Sequence, residues 1–152
     1  MKILVVSDSQ GSIGSILTAL DREKPDVLIH LGNGIKDLHD VKFEGQIFAA
    51  HGNTDFISKI PKSGKVAYNG CEILYTHGHQ FDVQNGSDAL CEFALKQGAD
   101  VVLFGHTLHA ELFEQEGIIF ANPGSIKDPK TGSYCTITFK GKTPIIEHFK
   151  LT

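Results

Sequence analysis

Five short apolar runs, each followed by polar and turn-forming residues, set the pattern of this chain. They cover residues 3–6, 27–31, 47–50, 73–75 and 100–104. Runs of this length, bounded by Gly, Asn and Asp, predict buried strands. The segments after them contain Asp, Asn and His, and ligands bind where strands end in open α/β proteins. We therefore expect these polar side chains to meet at one rim of the molecule.

In the first third of the chain, predicted strands and helices alternate. Strands are expected at residues 2–7, 26–31 and 46–50, and helical segments at 12–22 and 35–41. The first helix has one apolar stripe, formed by Ile13, Ile16, Leu17 and Leu20. Ser12 is placed to cap its first turn. This order predicts a parallel sheet with right-handed crossovers.

The remainder of the chain shows a different pattern. Residues 65–68 and 72–75 are predicted as a hairpin, because Asn69-Gly70 is a strong turn signal. A helix is expected at 87–97, with an inner face of Leu90, Phe93, Ala94 and Gln97. Strands at 110–114, 118–121, 134–139 and 144–151 are separated by short turns, which predicts an antiparallel second half. Together the elements predict two sheets packed face to face with helices outside, in a single domain over residues 1–152.

Composition narrows the class of protein. The 152 residues are 41% hydrophobic, enough for a sizeable core. The net charge of −4 argues against a nucleic-acid-binding surface. No stretch approaches the roughly 20 apolar residues of a membrane span, and the first residues enter a strand without a signal peptide. Three widely spaced cysteines, Cys71, Cys91 and Cys135, fit reduced thiols and a cytoplasmic location.

The polar segments form six short motifs in a recognisable order. They are SDSQG at 7–11, GNG at 32–34, HGNTD at 51–55, THGH at 76–79, GHTL at 105–108 and NPGS at 122–125. The set resembles the calcineurin-like metallophosphoesterases, in particular the small YfcE-type phosphodiesterases, whose fold the retromer scaffold subunit of eukaryotes shares. The resemblance implies an α/β fold, a four-layer α-β-β-α sandwich of two mixed sheets. In such enzymes a pair of divalent ions about 3.5–4 Å apart hydrolyses phosphate esters.

Three of the family's ligand positions are substituted here. By resemblance, Asp8 belongs to the first ion, and Asn33 stands where a carboxylate bridges both ions. The second ion would also take Asn53, His77 and His106. Gln10 and Leu108 occupy positions where the family has histidine ligands of the first ion.

The surviving ligands suit one ion better than two. Two dications carry four positive charges, and Asp8 is the one carboxylate left among the ligand positions. Neutral amides and imidazoles do not compensate that charge in a partly dehydrated cleft. A single ion at Asn53, His77 and His106 is therefore expected, and imidazole ligands favour Mn, Zn or Ni over Mg.

Two further residues have alternative interpretations. His79 either contacts the scissile phosphate or ties its loop to a backbone carbonyl. Asp55 either orients Asn53, donates a proton or caps the following turn.

Asn33 precedes Gly34, so deamidation of Asn33 to an acidic residue is a further hypothesis for restoring a carboxylate at the bridging position.

The resemblance leaves two classes of function open. The first is a metal-dependent phosphoesterase that uses a metal-bound hydroxide on a small phosphate-ester substrate. The second is an inactive family member that acts as a binding or scaffold protein. It would form a homo-oligomer or bind a protein partner. Apolar residues on loops near the rim (Phe56, Ile57, Phe81 and Val83) would line a substrate cleft, a dimer contact or the edge of the core.

Overall fold

The computed structural model describes residues 1–56 and 59–152, so Ile57 lies outside the described residues. Its strands are β1 Lys2–Val6, β2 Val27–His30, β3 Gln46–Ala49, β4 Ser63–Tyr68, β5 Cys71–Thr76, β6 Val101–Leu103, β7 Ala110–Gln115, β8 Ile118–Pro123, β9 Ser133–Lys140 and β10 Thr143–Lys150. The α-helices among these residues are α1 Ile13–Glu23 and α2 Asp88–Gln97. Short 3-10 helices lie at Ile35–Asp40, His79–Phe81 and Val83–Asn85.

The strands form two mixed five-stranded sheets. The first has the order β10-β9-β1-β2-β3, in which β1, β2 and β3 are parallel and β9 and β10 are antiparallel additions. The second has the order β4-β5-β6-β8-β7, with β5, β6 and β8 parallel. The predicted parallel first half and the Asn69-Gly70 hairpin are both confirmed.

The prediction of an antiparallel second half is wrong in part. Strand β6 runs parallel to both β5 and β8, because α2 carries the chain back between β5 and β6 in a crossover. All three residues of β6 are buried, as expected for a strand covered on both faces. Strands β9 and β10 extend the first sheet rather than the second.

Alternate residues of the central strands pack into different layers. Ile3 and Val5 of β1 point into the core between the sheets, with Ile73 and Leu103 of the second sheet. Leu4 and Val6 of the same strand pack against Ile16 and Ala19 of α1. Leu90 and Ala94 of α2 cover the outer face of the second sheet. This alternation follows from the period of two in a strand, and it produces the predicted four-layer α-β-β-α sandwich.

Some local predictions differ from the structure. Leu17, assigned to the apolar stripe of α1, is exposed, and so is Gln97 of α2, where Cys91 is buried instead. The Ser12 hydroxyl donates to the Lys127 carbonyl at 2.5 Å rather than capping α1. Groups other than a side-chain cap can satisfy the first N–H groups of a helix. The Ser12 hydroxyl can therefore bind a residue that is distant in the chain.

The apolar loop residues have separate roles. Val83 is buried in the core beneath α2, and Phe81 packs on Phe93 with ring centroids 4.9 Å apart. Phe56 is 99% exposed. Within the described ranges, none of the helices is both long and apolar enough to cross a membrane.

Candidate functional site

The loops that follow β1, β2, β3, β5 and β6 meet at one rim between the two sheets. They bring together the predicted ligand positions Asp8, Asn33, Asn53, His77 and His106. The Asn33 Nδ2 atom lies 3.0 Å from both Asp8 Oδ1 and Asn53 Oδ1. The His77 Nε2 atom lies 3.2 Å from Asp8 Oδ1, and the rings of His77 and His106 are 5.1 Å apart. Residues from across the chain therefore share one small volume.

The rim loops turn through backbone conformations that L residues rarely adopt. Asp8, Gln10, Asn33, His106 and Leu108 have φ between 41° and 71°. Left-handed conformations at non-glycine residues cost free energy and cluster at functional sites. Gln10 and Leu108 keep this conformation although their side chains are not typical metal ligands. The shape of these loops therefore depends on their packing and hydrogen bonds.

The carboxylate of Asp8 is buried and saturated with hydrogen bonds. Its Oδ1 accepts from Asn33 and His77, and its Oδ2 accepts from the Ser7 hydroxyl at 2.5 Å and from the His106 backbone N–H at 3.4 Å. Burial by itself raises the pKa of Asp8, but the hydrogen bonds from His77, Ser7 and Asn33 outweigh it, and the pKa lies below 3.8. Asp8 is therefore an anion whose acceptors are already used by the protein.

The amide of Asn33 is held in one orientation. Its Oδ1 accepts the Thr54 backbone N–H at 3.0 Å, so its Nδ2 must face Asp8 and Asn53. The backbone N–H of the next residue, Gly34, donates to Asp55 at 2.9 Å. Because both the side chain and the attacking nitrogen are held, this geometry does not favour the hypothesis that Asn33 deamidates.

Three histidine rings form a cluster beside Asp8. His77 is fully buried, and its Nδ1 lies 3.1 Å from Nδ1 of the partly exposed His79. Burial, together with the neighbouring His77 and His106 rings, lowers the pKa of His79 to about 4. Burial and His77 also lower the pKa of His106. With lowered pKa values, His79 and His106 are neutral at physiological pH, and a neutral imidazole offers one lone pair to a metal ion and one N–H to a phosphate oxygen.

The carboxylate of Asp55, predicted to orient Asn53, donate a proton or cap a turn, accepts hydrogen bonds from backbone N–H groups. Its two carboxylate oxygens accept backbone N–H groups from Asn33, Gly34, Ile35 and Gly52 at 2.7–3.2 Å. Burial raises the pKa of Asp55, but these four bonds outweigh that effect, and the net pKa lies below its usual value. A carboxylate held in this way is a poor acid. Asp55 therefore fastens the Asn33 loop to the Gly52 loop.

The donor set does not fit the family's two-ion centre. Gln10 is exposed, and Leu108 is 53% exposed. Asn33 stands at the position of the bridging carboxylate, and its side chain directs N–H groups toward Asp8 and Asn53. Within residues 1–56 and 59–152, no group of three or more His, Cys, Asp or Glu side chains is arranged to hold an ion. Apart from the hydrogen-bonded Asp8, the predicted ligands that remain are the Asn53 amide oxygen and the His77 and His106 imidazoles.

Several contributors to the rim were not predicted from the sequence. Ser7 bonds the Asp8 carboxylate, and Ser125 of the NPGS motif donates to the Asp8 carbonyl at 3.0 Å. Asn122 of that motif donates to the Gly105 carbonyl and to the Thr107 hydroxyl. These residues lie inside or next to the motifs, which is the one signal that identifies them. Their hydrogen bonds join the loops of the rim to one another.

A second buried network supports the rim from below. His30 Nδ1 accepts the Gly32 N–H, and its Nε2 lies 2.9 Å from the Ser9 hydroxyl. Ser9 in turn donates to Asp37 at 2.6 Å. Burial lowers the pKa of His30 to about 4, so the ring is neutral at physiological pH. This network links the end of β1 to the 3-10 helix Ile35–Asp40.

Fold, motif order and rim geometry agree with one family of proteins. The model of the calcineurin-like phosphoesterase superfamily domain matches residues 1–142. The chain belongs to this superfamily, which is a family of metal-using phosphoesterases.

Some relatives are named for a phosphoesterase activity and one is named for vacuolar protein sorting. The chain is 28% identical to a probable metallophosphoesterase, YsnB, of Bacillus subtilis, over 98% of this chain and 90% of that protein. It is 33% identical to vacuolar protein sorting-associated protein 29 of Schizosaccharomyces pombe, over 76% of this chain and 57% of that protein. A structure from Streptococcus pneumoniae, described as a predicted phosphoesterase, superposes with a TM-score of 0.82 at 25% identity. It covers 99% of this chain and 89% of that one.

Proposed function

We propose that this chain is a metal-dependent phosphoesterase of the YfcE type that acts on small phosphate esters with one divalent ion. Asn53, His77 and His106 would hold the ion. The observation that carries the proposal is the 5.1 Å separation of the His77 and His106 rings. Two imidazoles on one tetrahedral ion, with metal–nitrogen bonds of about 2.0–2.1 Å, place their ring centroids about 5 Å apart.

The surrounding residues support this assignment. The Asn53 amide oxygen has two lone pairs, so it can bind an ion while it accepts from Asn33. Imidazole ligands favour Mn, Zn or Ni over Mg. When bound, such an ion polarises a phosphoryl oxygen and lowers the pKa of a bound water. The partly exposed His79 lies beside the His77 and His106 rings and would hydrogen-bond the phosphate. The buried free cysteines fit a cytoplasmic location.

Metal content and phosphodiester hydrolysis test the proposal together. We expect purified protein incubated with Mn²⁺ to retain about one ion per chain and to hydrolyse bis(4-nitrophenyl) phosphate. His77→Ala and His106→Ala should abolish both properties, whereas His39→Ala, at an exposed position of a 3-10 helix, should preserve them. Hydrolysis that persists in His77→Ala would contradict the assignment of the ligands.

One observation favours a second candidate, a binding protein without catalysis. The rim loops are already joined by the Asn33 amide, which connects Asp8 to Asn53 without a cation. One relative is named for vacuolar protein sorting and not for an esterase activity. A rim that binds no ion and hydrolyses nothing at millimolar Mn²⁺ would contradict the first candidate, and binding of a protein partner or of a second copy of the chain would then support the second.

A further inference from the structure

A cavity of about 530 Å³ lies along helix α1, which covers the outer face of the first sheet. It is bounded on the other side by Pro129 of the loop after β8 and by residues 151–152, which follow β10. None of the proposed ion ligands lines it, so the cavity is distinct from the rim. Its helical wall includes Ser15, Thr18 and Arg22, whose spacing places them on one face of α1.

The first N–H groups of α1 have no partner in the protein. In the part of the chain that the structure describes, the backbone N–H groups of Ile13, Gly14 and Ser15 find no acceptor. A capping side chain usually accepts one of these groups, but the Ser12 hydroxyl donates to the Lys127 carbonyl instead. The first turn of α1 has no acidic residue either. These unused donors and the positive end of the helix dipole both favour an anion.

The side chain of Ser15 is a second and independent indication of a ligand. Ser15 is 4% exposed, and its hydroxyl is the one buried side-chain polar group among the described residues that has no hydrogen-bond partner. A buried hydroxyl without a partner costs free energy, and native proteins contain few of them. Ser15 lines the cavity, and rotation about its χ1 torsion can turn the hydroxyl to a bound group. A ligand oxygen in the cavity would supply the missing partner.

Charge and open space in the cavity favour an oxyanion. Among the described residues that line it, Arg22 has the one charged side chain, and none is acidic. Arg22 lies about 10 Å beyond Ser15 along the helix axis, and side chains of a helix lean toward its N-terminus. A Cβ added at Gly11 or Gly14 would meet nothing within 4 Å. A ligand can therefore approach the backbone N–H groups of the first turn.

We propose that this cavity binds a phosphate group at the first turn of α1. The N–H groups of Gly14 and Ser15 and the Ser15 hydroxyl donate to its oxygens, and Arg22 supplies positive charge. The group is free phosphate or the phosphate of a small ester whose remainder lies along α1 toward Thr18. This site takes no part in the hydrolysis proposed for the rim, so the inference does not rest on the proposed function.

A titration followed by ¹H–¹⁵N NMR in EDTA tests the site without any metal. The probes are inorganic phosphate and glycerol 3-phosphate, each compared with sodium chloride at the same ionic strength. We expect the amide resonances of Gly14 and Ser15 to shift with phosphate and not with chloride, with a Kd in the millimolar range. Tighter binding of glycerol 3-phosphate would identify a phosphate ester as the ligand, and equal or weaker binding would identify the free ion.

Two variants separate binding from folding. Ser15→Ala should weaken phosphate binding about tenfold, because a hydrogen bond to a charged group is lost. In phosphate-free buffer its unfolding temperature should be unchanged or higher, since the deleted hydroxyl has no partner in the protein. Gly14→Glu should abolish phosphate binding by repulsion. It should also stabilise α1, because glycine is a poor helix former and a carboxylate near the N-terminus of a helix is favourable.

Matched controls complete the experiment. Leu17→Glu adds the same charge to α1 at an exposed position that does not line the cavity, and it should bind phosphate nearly as tightly as the unaltered protein. His77→Ala should keep the phosphate site even if hydrolysis is lost, so failure of the rim chemistry is distinguishable from failure of this site. Amide resonances of Gly14 and Ser15 that do not respond to phosphate, or an unchanged affinity in Ser15→Ala or Gly14→Glu, would overturn the proposal.

Discussion

At the residue scale, the amide of Asn33 determines how the rim is held together. It accepts one backbone N–H and donates to two oxygens, each at 3.0 Å. In a two-ion centre those oxygens would face cations, and here they face N–H groups. The amide therefore supplies a weak, neutral substitute for positive charge.

We predict that Asn33→Asp makes the stability of the protein depend on metal. Without metal, the new carboxylate faces Asp8 at hydrogen-bonding distance, and repulsion should lower the free energy of unfolding by about 2–4 kcal/mol. Mn²⁺ or Zn²⁺ should restore about 2.7 kcal/mol at a concentration of about 100 Kd. Thermal unfolding in EDTA and in Mn²⁺ measures the shift, expected to be about 5 °C or more.

Asn69 provides a matched control for this substitution. It also has a left-handed φ and also precedes a glycine, but it lies in an exposed turn. Asn69→Asp should show the same small metal response as the unaltered protein. A metal-induced shift in Asn33→Asp that is no larger than this response would contradict the role given to Asn33.

Asp55 illustrates a carboxylate that stabilises loops through backbone donors. We predict that Asp55→Ala lowers the free energy of unfolding by about 2–3 kcal/mol at pH 7, because four N–H groups lose a charged acceptor. Since the folded pKa lies below the unfolded one, this contribution is present above about pH 4 and is lost as pH falls through the folded pKa. Urea unfolding from pH 7 to pH 3 measures both effects, with exposed Asp40→Ala as the control.

At the scale of elements, a network of buried polar groups fastens the 3-10 helix Ile35–Asp40 to the first sheet. His30 ends β2, Ser9 follows β1, and Asp37 belongs to the 3-10 helix. The neutral ring of His30 is part of this connection. Protonating it would place a charge at a fully buried position, which desolvation strongly disfavours.

This arrangement predicts a loss of stability in mild acid. The pKa of His30 falls from 6.5 to about 4 on folding, so the unfolded chain binds more protons between these values. The associated stability is complete above about pH 6.5 and decreases as pH falls toward 4, by about 3 kcal/mol in total. His79 and His106 shift in the same direction. His30→Gln, which keeps a donor for Ser9, should therefore flatten only part of the decline in urea unfolding between pH 7 and 4.5. An unchanged slope in the variant would contradict the assignment.

At the scale of the whole molecule, the rim exists because the two sheets are packed together. The first sheet supplies Asp8, Asn33 and Asn53, and the second supplies His77 and His106. The inter-sheet core of Ile3, Val5, Ile73 and Leu103 holds the ends of these strands side by side. Neither sheet alone contains a complete set of ligands.

Because the rim loops keep their left-handed backbone, we predict that restoring the family's ligands increases both metal binding and hydrolysis. The variant with Gln10→His, Asn33→Asp and Leu108→His restores three side chains on loops that retain left-handed backbone. We expect it to bind two Mn²⁺ per chain and to hydrolyse bis(4-nitrophenyl) phosphate at least 100-fold faster than the unaltered protein, an estimate from the charge that a second ion stabilises. Adding His77→Ala to this variant should remove the gain. No gain in either metal content or rate would show that the rim has lost its geometry as well as its ligands.

Much of this architecture follows from local sequence, and the exceptions have physical causes. The five apolar runs predicted the central strands, and Asn69-Gly70 predicted its hairpin. Both signals depend on only a few neighbouring residues, because a strand is identified by its apolar pattern and a tight turn by the residues that form it. The parallel pairing of β6 with β5 and β8 was not predicted, because a short apolar run does not indicate whether its neighbouring strands are parallel or antiparallel. The bonds from residues 33–35 to Asp55 and from Ser12 to Lys127 were not predicted, because these partners lie at distant positions in the chain.

The sequence by itself determined the family, the layered fold and which side chains reach the rim. The reason is that the motifs and the periodicity of the strands are recognised within short stretches of sequence. Tertiary structure alone decided what those side chains do there. It showed that the Asn33 amide donates to acceptors of Asp8 and Asn53, and that Asp55 accepts four backbone N–H groups. The physical reason is that a hydrogen bond depends on distance and direction between groups that the chain separates by many residues, and only folding sets both.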